Sequence, residues 1–201
     1  MTEDFLSYYN LEDFLFGAVR NRFHKQRKLD AFDLFSIIVW KANRAKSKVA
    51  ERLLQSHKPK NLDAVSEEFT RALFEAANAE SRLIVAMKSW GFRLPMASAI
   101  LTVLWPEDFT VYDIRACQQL GELNYGNFSN LGNINSAEQL WPKYLEYCDA
   151  VKKAVPQHPS LRDKDRFLWG RSAARQLVDD IARGFSKPAE PSRESPGPLV
   201  R

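Results

Sequence analysis

One carboxylate in this chain sits where its neighbours could put it to chemical use. Asp113 closes the short extended run Phe109-Thr-Val-Tyr112 and opens the helical pattern that begins at Ile114. An acid at that point meets the positive end of the helix dipole, which favours its ionised form. Beside a sugar, an ionised carboxylate can stabilise the cation that develops as a glycosidic bond breaks, and can orient a water. The same residue is equally an ordinary N-cap for the helix it precedes. Two aromatic side chains flank the segment, Trp90 and Tyr112. Either could stack on a planar ligand, and either could instead fill the core.

What must position Asp113 lies just upstream, in Ser89-Trp-Gly-Phe-Arg-Leu-Pro-Met-Ala-Ser-Ala-Ile-Leu-Thr-Val-Leu-Trp-Pro106. A tight turn is expected at Gly91, which also suits the C-cap of a helix ending near Trp90. Pro95 is well placed to open the next helix. That helix is small and apolar, with Ala97, Ala99, Ile100, Leu101, Val103 and Leu104, and it stops at Trp105-Pro106. The order is turn, apolar helix, delivered acid.

Residues 89–115 resemble the helix-hairpin-helix and catalytic-aspartate segment of the base-excision DNA glycosylases of the HhH-GPD superfamily. In that family a Leu-Pro-Gly-Val-Gly-type hairpin leads into a small-residue helix, and a connector ends in Val-Asp-Thr-His, whose aspartate is catalytic. Here Gly91 falls on the first hairpin glycine, Ala97-Ser-Ala-Ile-Leu101 on the helix, and Val111-Tyr-Asp-Ile-Arg115 on the aspartate motif. The resemblance implies an all-α, two-lobed fold over residues 1–183. It implies hydrolysis of the N-glycosidic bond of a damaged or modified base in double-stranded DNA, with Asp113 as the catalytic carboxylate. Gly91, Phe92 and Arg93 would hold the DNA backbone at the hairpin, and Trp90 and Tyr112 are candidates for the base pocket. Two departures matter. Arg93 stands where the second hairpin glycine would be. Pro95 stands at the lysine position of the bifunctional members, 18 residues before the aspartate, so the resemblance implies a monofunctional enzyme without a Schiff-base amine there. The competing reading is a DNA-binding or interaction module that kept the fold without the chemistry.

The distribution of charge bears on the partner. The chain carries +4 overall, but residues 20–60 hold twelve bases against three acids, a local +9 that leaves −5 for the remainder. So local a concentration is the footprint expected of a phosphate-backbone surface, and a solvated helix face would look the same. Lys41 and Arg44, one turn apart, are candidate DNA contacts, as are Lys88 and Arg115 near the central segment.

Apolar residues recur with period 3.6 almost everywhere and with period two almost nowhere, which makes the chain all-helical. Arg20–Lys28 is expected as a basic loop. A long helix capped by Asp30 is expected next, with Phe32, Phe35, Ile38, Val39, Val49 and Leu53 inward and Lys41, Arg44, Lys46, Lys48 and Arg52 outward. Further helices are expected over 61–74, 79–88, 114–123, 136–151 and 161–183, and a disordered tail over 184–201, which is rich in proline. Asp163 and Asp165, in the first turn of the last helix, suit its dipole, with Arg162 and Arg166 placed to pair with them or with Asp113. Cys117 and Cys148 are too few for a four-cysteine iron–sulfur motif, and His24, His57 and His158 have no partner at ligand spacing. No metal and no cofactor are expected. No apolar run is long enough to span a bilayer, and the N-terminus lacks a signal-peptide pattern. A cytoplasmic monomer is the expectation.

Overall fold

The computed structural model describes residues 5–57 and 61–186. Among them every regular element is helical: α1 (Leu11–Phe14), α2 (Arg20–Gln26), α3 (Ala31–Ala42), α4 (Lys46–His57), α5 (Leu62–Glu75), α6 (Ala79–Ile84), α7 (Leu94–Leu104), α8 (Ile114–Glu122), α9 (Ala137–Ala154) and α10 (Leu161–Ala182). The fold is all-α. Single π-turns, Leu15–Val19 and Val85–Ser89, join α1 to α2 and extend α6.

Most helix starts are explained by one polar side chain. Asn10, Asp30, Asn61, Asn78, Asp113, Ser136 and Ser160 each accept a backbone N–H from the first turn of the helix that follows. Such caps satisfy donors that the helix cannot pair internally. The start of α7 differs: its cap residue, Arg93, makes no side-chain bond to the first turn.

At the centre lies α7. Nine of its residues are buried, and α2, α3 and α6 pack around it. Ala97, Ser98 and Ala99 leave little bulk between its backbone and its neighbours, so the helices approach closely. Below it, Phe69 of α5 meets the rings of Trp90 and Phe92 at 5.1 and 5.0 Å, which anchors the turn between α6 and α7 in the core.

Three sequence expectations change. Arg20–Lys28 is mostly helix α2 rather than a loop, because Phe23 is fully buried and gives it an inward face. The long helix expected from Asp30 breaks at Ala42, whose backbone leaves the helical region before a 3-10 turn at Asn43–Ala45. The buried stripe of α3 is Leu34, Ile37 and Ile38, while Phe32 is 58% exposed, so the inward face is rotated from the one expected. The last helix ends as expected, with Gly184 at φ +57 just beyond it. The disordered tail assigned to 184–201 lies, from residue 187 onward, outside the described residues, as do Lys58 and Lys60. No helix among the described residues is long and apolar enough to cross a membrane.

Removing the Phe69 ring should loosen both the core and the turn it anchors. Phe69→Ala is expected to lower unfolding stability by roughly 3–5 kcal/mol, read as a lower denaturant midpoint at unchanged slope. A loss below about 1 kcal/mol, within the range of an ordinary surface change, would mean that the ring is not buried.

Candidate functional site

The segment that delivers Asp113 is held at nearly every polar backbone atom. Thr110 N donates to the Tyr144 hydroxyl at 3.1 Å, and that hydroxyl donates to Thr110 O at 2.5 Å. The Tyr147 hydroxyl donates to Val111 O at 2.9 Å. Tyr112 N donates to Ser98 Oγ of α7 at 2.9 Å. Thr110 Oγ and Val111 N both donate to one carboxylate oxygen of Asp165, at 3.0 and 3.4 Å. Three helices, α7, α9 and α10, therefore hold three residues of extended chain. The groups involved are buried, where each lost bond costs about 1–3 kcal/mol.

Asp113 emerges from this clamp with its carboxylate partly open. One oxygen accepts Arg115 N at 3.0 Å, which is the cap expected of it. The other accepts the Lys41 ammonium at 2.8 Å, and Lys41 also reaches Tyr112 O at 3.4 Å. The two side chains are 26% and 13% exposed, so neither is sealed in the core. They face a cavity of about 410 Å³. Its walls come from α1 (Glu12), α3 (Trp40, Lys41), the connector (Val111, Asp113), α8 (Ala116) and α10 (Arg162, Asp165, Arg166, Trp169).

Lys41 was expected on an outward cationic face. It belongs instead to the inward stripe of α3, at three and four residues from Ile38 and Ile37 and seven from Leu34. The spacing was readable, since positions i, i+3, i+4 and i+7 share a helix face. Its charge argued for the surface only because its partner, 72 residues away, was not visible.

Asp165 was singled out only for the helix dipole. It is buried and pairs with Arg162, whose guanidinium also bonds Glu12 at 2.9 Å and lies 5.0 Å over the Trp40 ring. Arg162 thus reaches Asp165 rather than Asp113. Burial pushes the Asp165 carboxyl up to about 6, against the pull of Arg162, the Thr110 hydroxyl and Val111 N, and with a further push from Glu12. Its place between Leu161 and Leu168, on the buried side of α10, was the signal for an inward position.

The remaining candidates fall elsewhere. Trp90 is buried against Phe69, and the Tyr112 hydroxyl sits among Phe128 O, Ser129 O and Gly132 N at 2.8, 3.0 and 3.3 Å. Neither lines the cavity, because both rings fill the core; Trp40 and Trp169 are the aromatics that do line it. Phe92, expected at the DNA backbone, is buried under Arg52, which stacks 4.8 Å over its ring and donates to Gly91 O at 2.8 Å. Gly91 makes the turn at φ +66, a conformation that favours glycine. Arg93 is exposed at the start of α7. Lys88 pairs with Glu138 at 2.8 Å on the surface, and Arg115 lies 5.6 Å over the Trp169 ring at the cavity mouth.

Much of the basic segment is neutralised internally. Arg20 pairs with Glu107, Arg22 with Asp33, Lys28 with Glu67 and Lys41 with Asp113. Arg44, Lys46 and Lys48, around the start of α4, remain on the exposed surface. Among the described residues no group of three or more His, Cys, Asp or Glu side chains gathers as a metal site would require.

Compared with protein families, with curated proteins and with solved structures, the chain finds no match.

The Asp165 carboxyl gives a pH signature of this site. Folded, it keeps its proton up to about pH 6; unfolded, it releases it near a pKa of about 3.9. Its contribution to stability is therefore present in full below about pH 4 and is lost as pH rises through about 6. The carboxyl carbon resonance of Asp165 should titrate near pH 6, and the stability of the wild type relative to Asp165→Asn should fall across that window. A midpoint near 4 with a flat difference would contradict the burial.

Proposed function

We propose that this chain is a DNA N-glycosylase, an enzyme that hydrolyses the bond between deoxyribose and a damaged or modified base. The single observation that carries the reading is Asp113: an ion-paired carboxylate, partly open, at a cavity with two tryptophans on its walls. At about 410 Å³ the cavity lies near the lower end of the roughly 300–1,000 Å³ usual for small-ligand sites, a size suited to one nucleobase. A base inside a duplex is out of reach of any such cavity, so the target nucleotide must be extruded into it. Trp40 and Trp169 offer apolar faces for the extruded base, and stacking on an aromatic ring tolerates many bases.

Asp113 would then face the sugar. As the base departs, positive charge spreads over C1′ and the ring oxygen, and a fixed carboxylate stabilises it without having to reorganise. Lys41 and Arg115 N hold the carboxylate in place before substrate arrives. A water attacks C1′ and the base leaves, so the products are a free base and an abasic sugar. The clamp on Thr110, Val111 and Tyr112 gives the precision that such positioning demands. The DNA backbone is assigned to the start of α7, where the helix dipole and the exposed Arg93 side chain favour a phosphate; the Gly91 and Phe92 amides are already donated to Met87 O and Ala86 O. The resemblance of residues 89–115 to the HhH-GPD glycosylases and the all-helical fold support the same reading. Arg44, Lys46 and Lys48 are assigned to a flanking stretch of the duplex.

Incubation with duplexes carrying a panel of damaged or modified bases, followed by hot alkali, tests the activity. Strand breaks at one class of base are expected for the wild type and should vanish in Asp113→Asn while DNA binding persists. Binding with no excision across a broad panel would favour a non-catalytic module. Separately, Arg44→Ala with Lys48→Ala should weaken duplex binding on every sequence and flatten its salt dependence by about one unit of slope per lost phosphate contact. An unchanged slope would remove this face from the interface.

A further inference from the structure

The last helix has two apolar sides, and the fold uses one of them. Leu161, Leu168 and Ser172 lie on its buried side, where α10 packs against α8 and α9. Beyond Ser172 the helix continues for about three turns without a single buried residue. On the opposite side Phe167, Gly170, Ala174, Leu177 and Ile181 follow one another at spacings of 3, 4, 3 and 4, the period of helices that pair along their length. Phe167, Leu177 and Ile181 are 40, 53 and 59% exposed, and Val178 and Phe185 beside them 65 and 69%. A helix that is apolar on both sides is ordinarily covered on both.

We infer that this seam pairs, in antiparallel orientation, with the same seam of a second copy of the chain, forming a two-fold symmetric dimer. The inference is independent of the glycosylase reading and replaces the monomer expected from the sequence. Three observations select this occupant. Gly170 sits mid-helix, where glycine weakens the helix, yet an added Cβ there would meet nothing within 4 Å in the chain itself. Backbone bared in this way fits the close approach of a second helix. Antiparallel pairing then sets small residues against large ones: Ala174 faces the partner's Leu177, Gly170 the partner's Ile181, and Phe167 the partner's Gly184. A parallel pair would instead set glycine on glycine and isoleucine on isoleucine, a gap beside a clash. The second observation concerns the rest of the chain. Residues 187–201 offer only Ala189, Leu199 and Val200 as apolar side chains beside four prolines, too little to cover the seam. The third is size. Covering the five large side chains removes roughly 500 Å² of apolar surface per copy. With its polar flanks the pair then reaches the roughly 1,200 Å² at which specific interfaces begin. Neighbouring cations do not intrude, because Arg171 and Arg175 are drawn to Glu122, and Arg183 to Asp180. None of the seam residues lines the cavity in front of Asp113.

Sedimentation equilibrium of the full-length protein across roughly 1–200 µM tests the pairing, and a dissociation constant in the micromolar range is expected of an interface this small. Gly170→Arg puts a long side chain into the seam. Since the space beside Gly170 is open within one chain, the melting temperature of the dilute variant should not fall. Its dimer affinity should drop roughly tenfold or more. Leu177→Asp with Ile181→Asp should be monomeric at every concentration. Leu145→Glu removes an exposed apolar side chain from α9, 45% exposed, and should leave the equilibrium unchanged. Mixed Ala174→Cys and Leu177→Cys proteins should oxidise to a disulfide joining one kind of chain to the other. A wild type that stays monomeric throughout overturns the inference and leaves the seam to another segment or another protein. A dimer that survives both Gly170→Arg and the double aspartate variant overturns it as well. A disulfide formed only between two Leu177→Cys chains overturns the antiparallel register.

Discussion

Three residues of extended backbone, Thr110, Val111 and Tyr112, govern this structure. An extended segment between two helices has no ladder of its own to satisfy its polar groups, and in the interior each unsatisfied group is costly. The chain meets that demand with side chains from elsewhere: two tyrosine hydroxyls from α9, the Ser98 hydroxyl from α7 and the Asp165 carboxylate from α10. The arrangement ties the middle of the sequence to its C-terminal third. It also leaves the next residue, Asp113, nowhere to go but the mouth of the cavity. Stability and placement of the carboxylate are thus the same set of hydrogen bonds.

A second network closes the other wall. Arg162 joins Asp165 to Glu12, and its guanidinium covers the rings of Trp40 and Phe16. An arginine can do this because its planar group bonds at its edge while stacking on its face. The N-terminal helices are thereby fastened to α10 across the cavity, and the charges nearest Asp113 form a fixed set. Lys41, Arg162 and Arg166 are the cations lining the cavity with it, and Asp165 and Glu12 are the other acids.

How much of this the sequence disclosed depended on range. Local signals carried well: the all-helical character, the turn at Gly91, the apolar run of α7 and the cap at Asp113 all follow from spacing within one or two turns. Lys41 and Asp165 were misjudged for a common reason. Each is a charge on the buried stripe of its helix, and charge alone argues for the surface, yet Lys41 is paired with Asp113, 72 residues away, and Asp165 takes hydrogen bonds from Thr110 and Val111, more than fifty residues away, beside its local pair with Arg162. Trp90, Phe92 and Tyr112 were misjudged in the opposite direction. Their closeness in sequence to Gly91 and Asp113 suggested the site, whereas the turn and the connector point these rings into the core. The cavity's own aromatics, Trp40 and Trp169, lie in segments that meet only after folding.

The central claim is that the cavity in front of Asp113 receives an extruded nucleotide. The most direct measurement is a crystal structure of the protein with a duplex carrying a tetrahydrofuran abasic analogue, which cannot react. The expected result is the analogue sugar rotated out of the stack into the cavity, its C1′ roughly 3–3.5 Å from the Asp113 carboxylate, the separation of a near-attack arrangement. A duplex bound along Arg44 and Lys48 with its sugars still stacked and the cavity empty would contradict it.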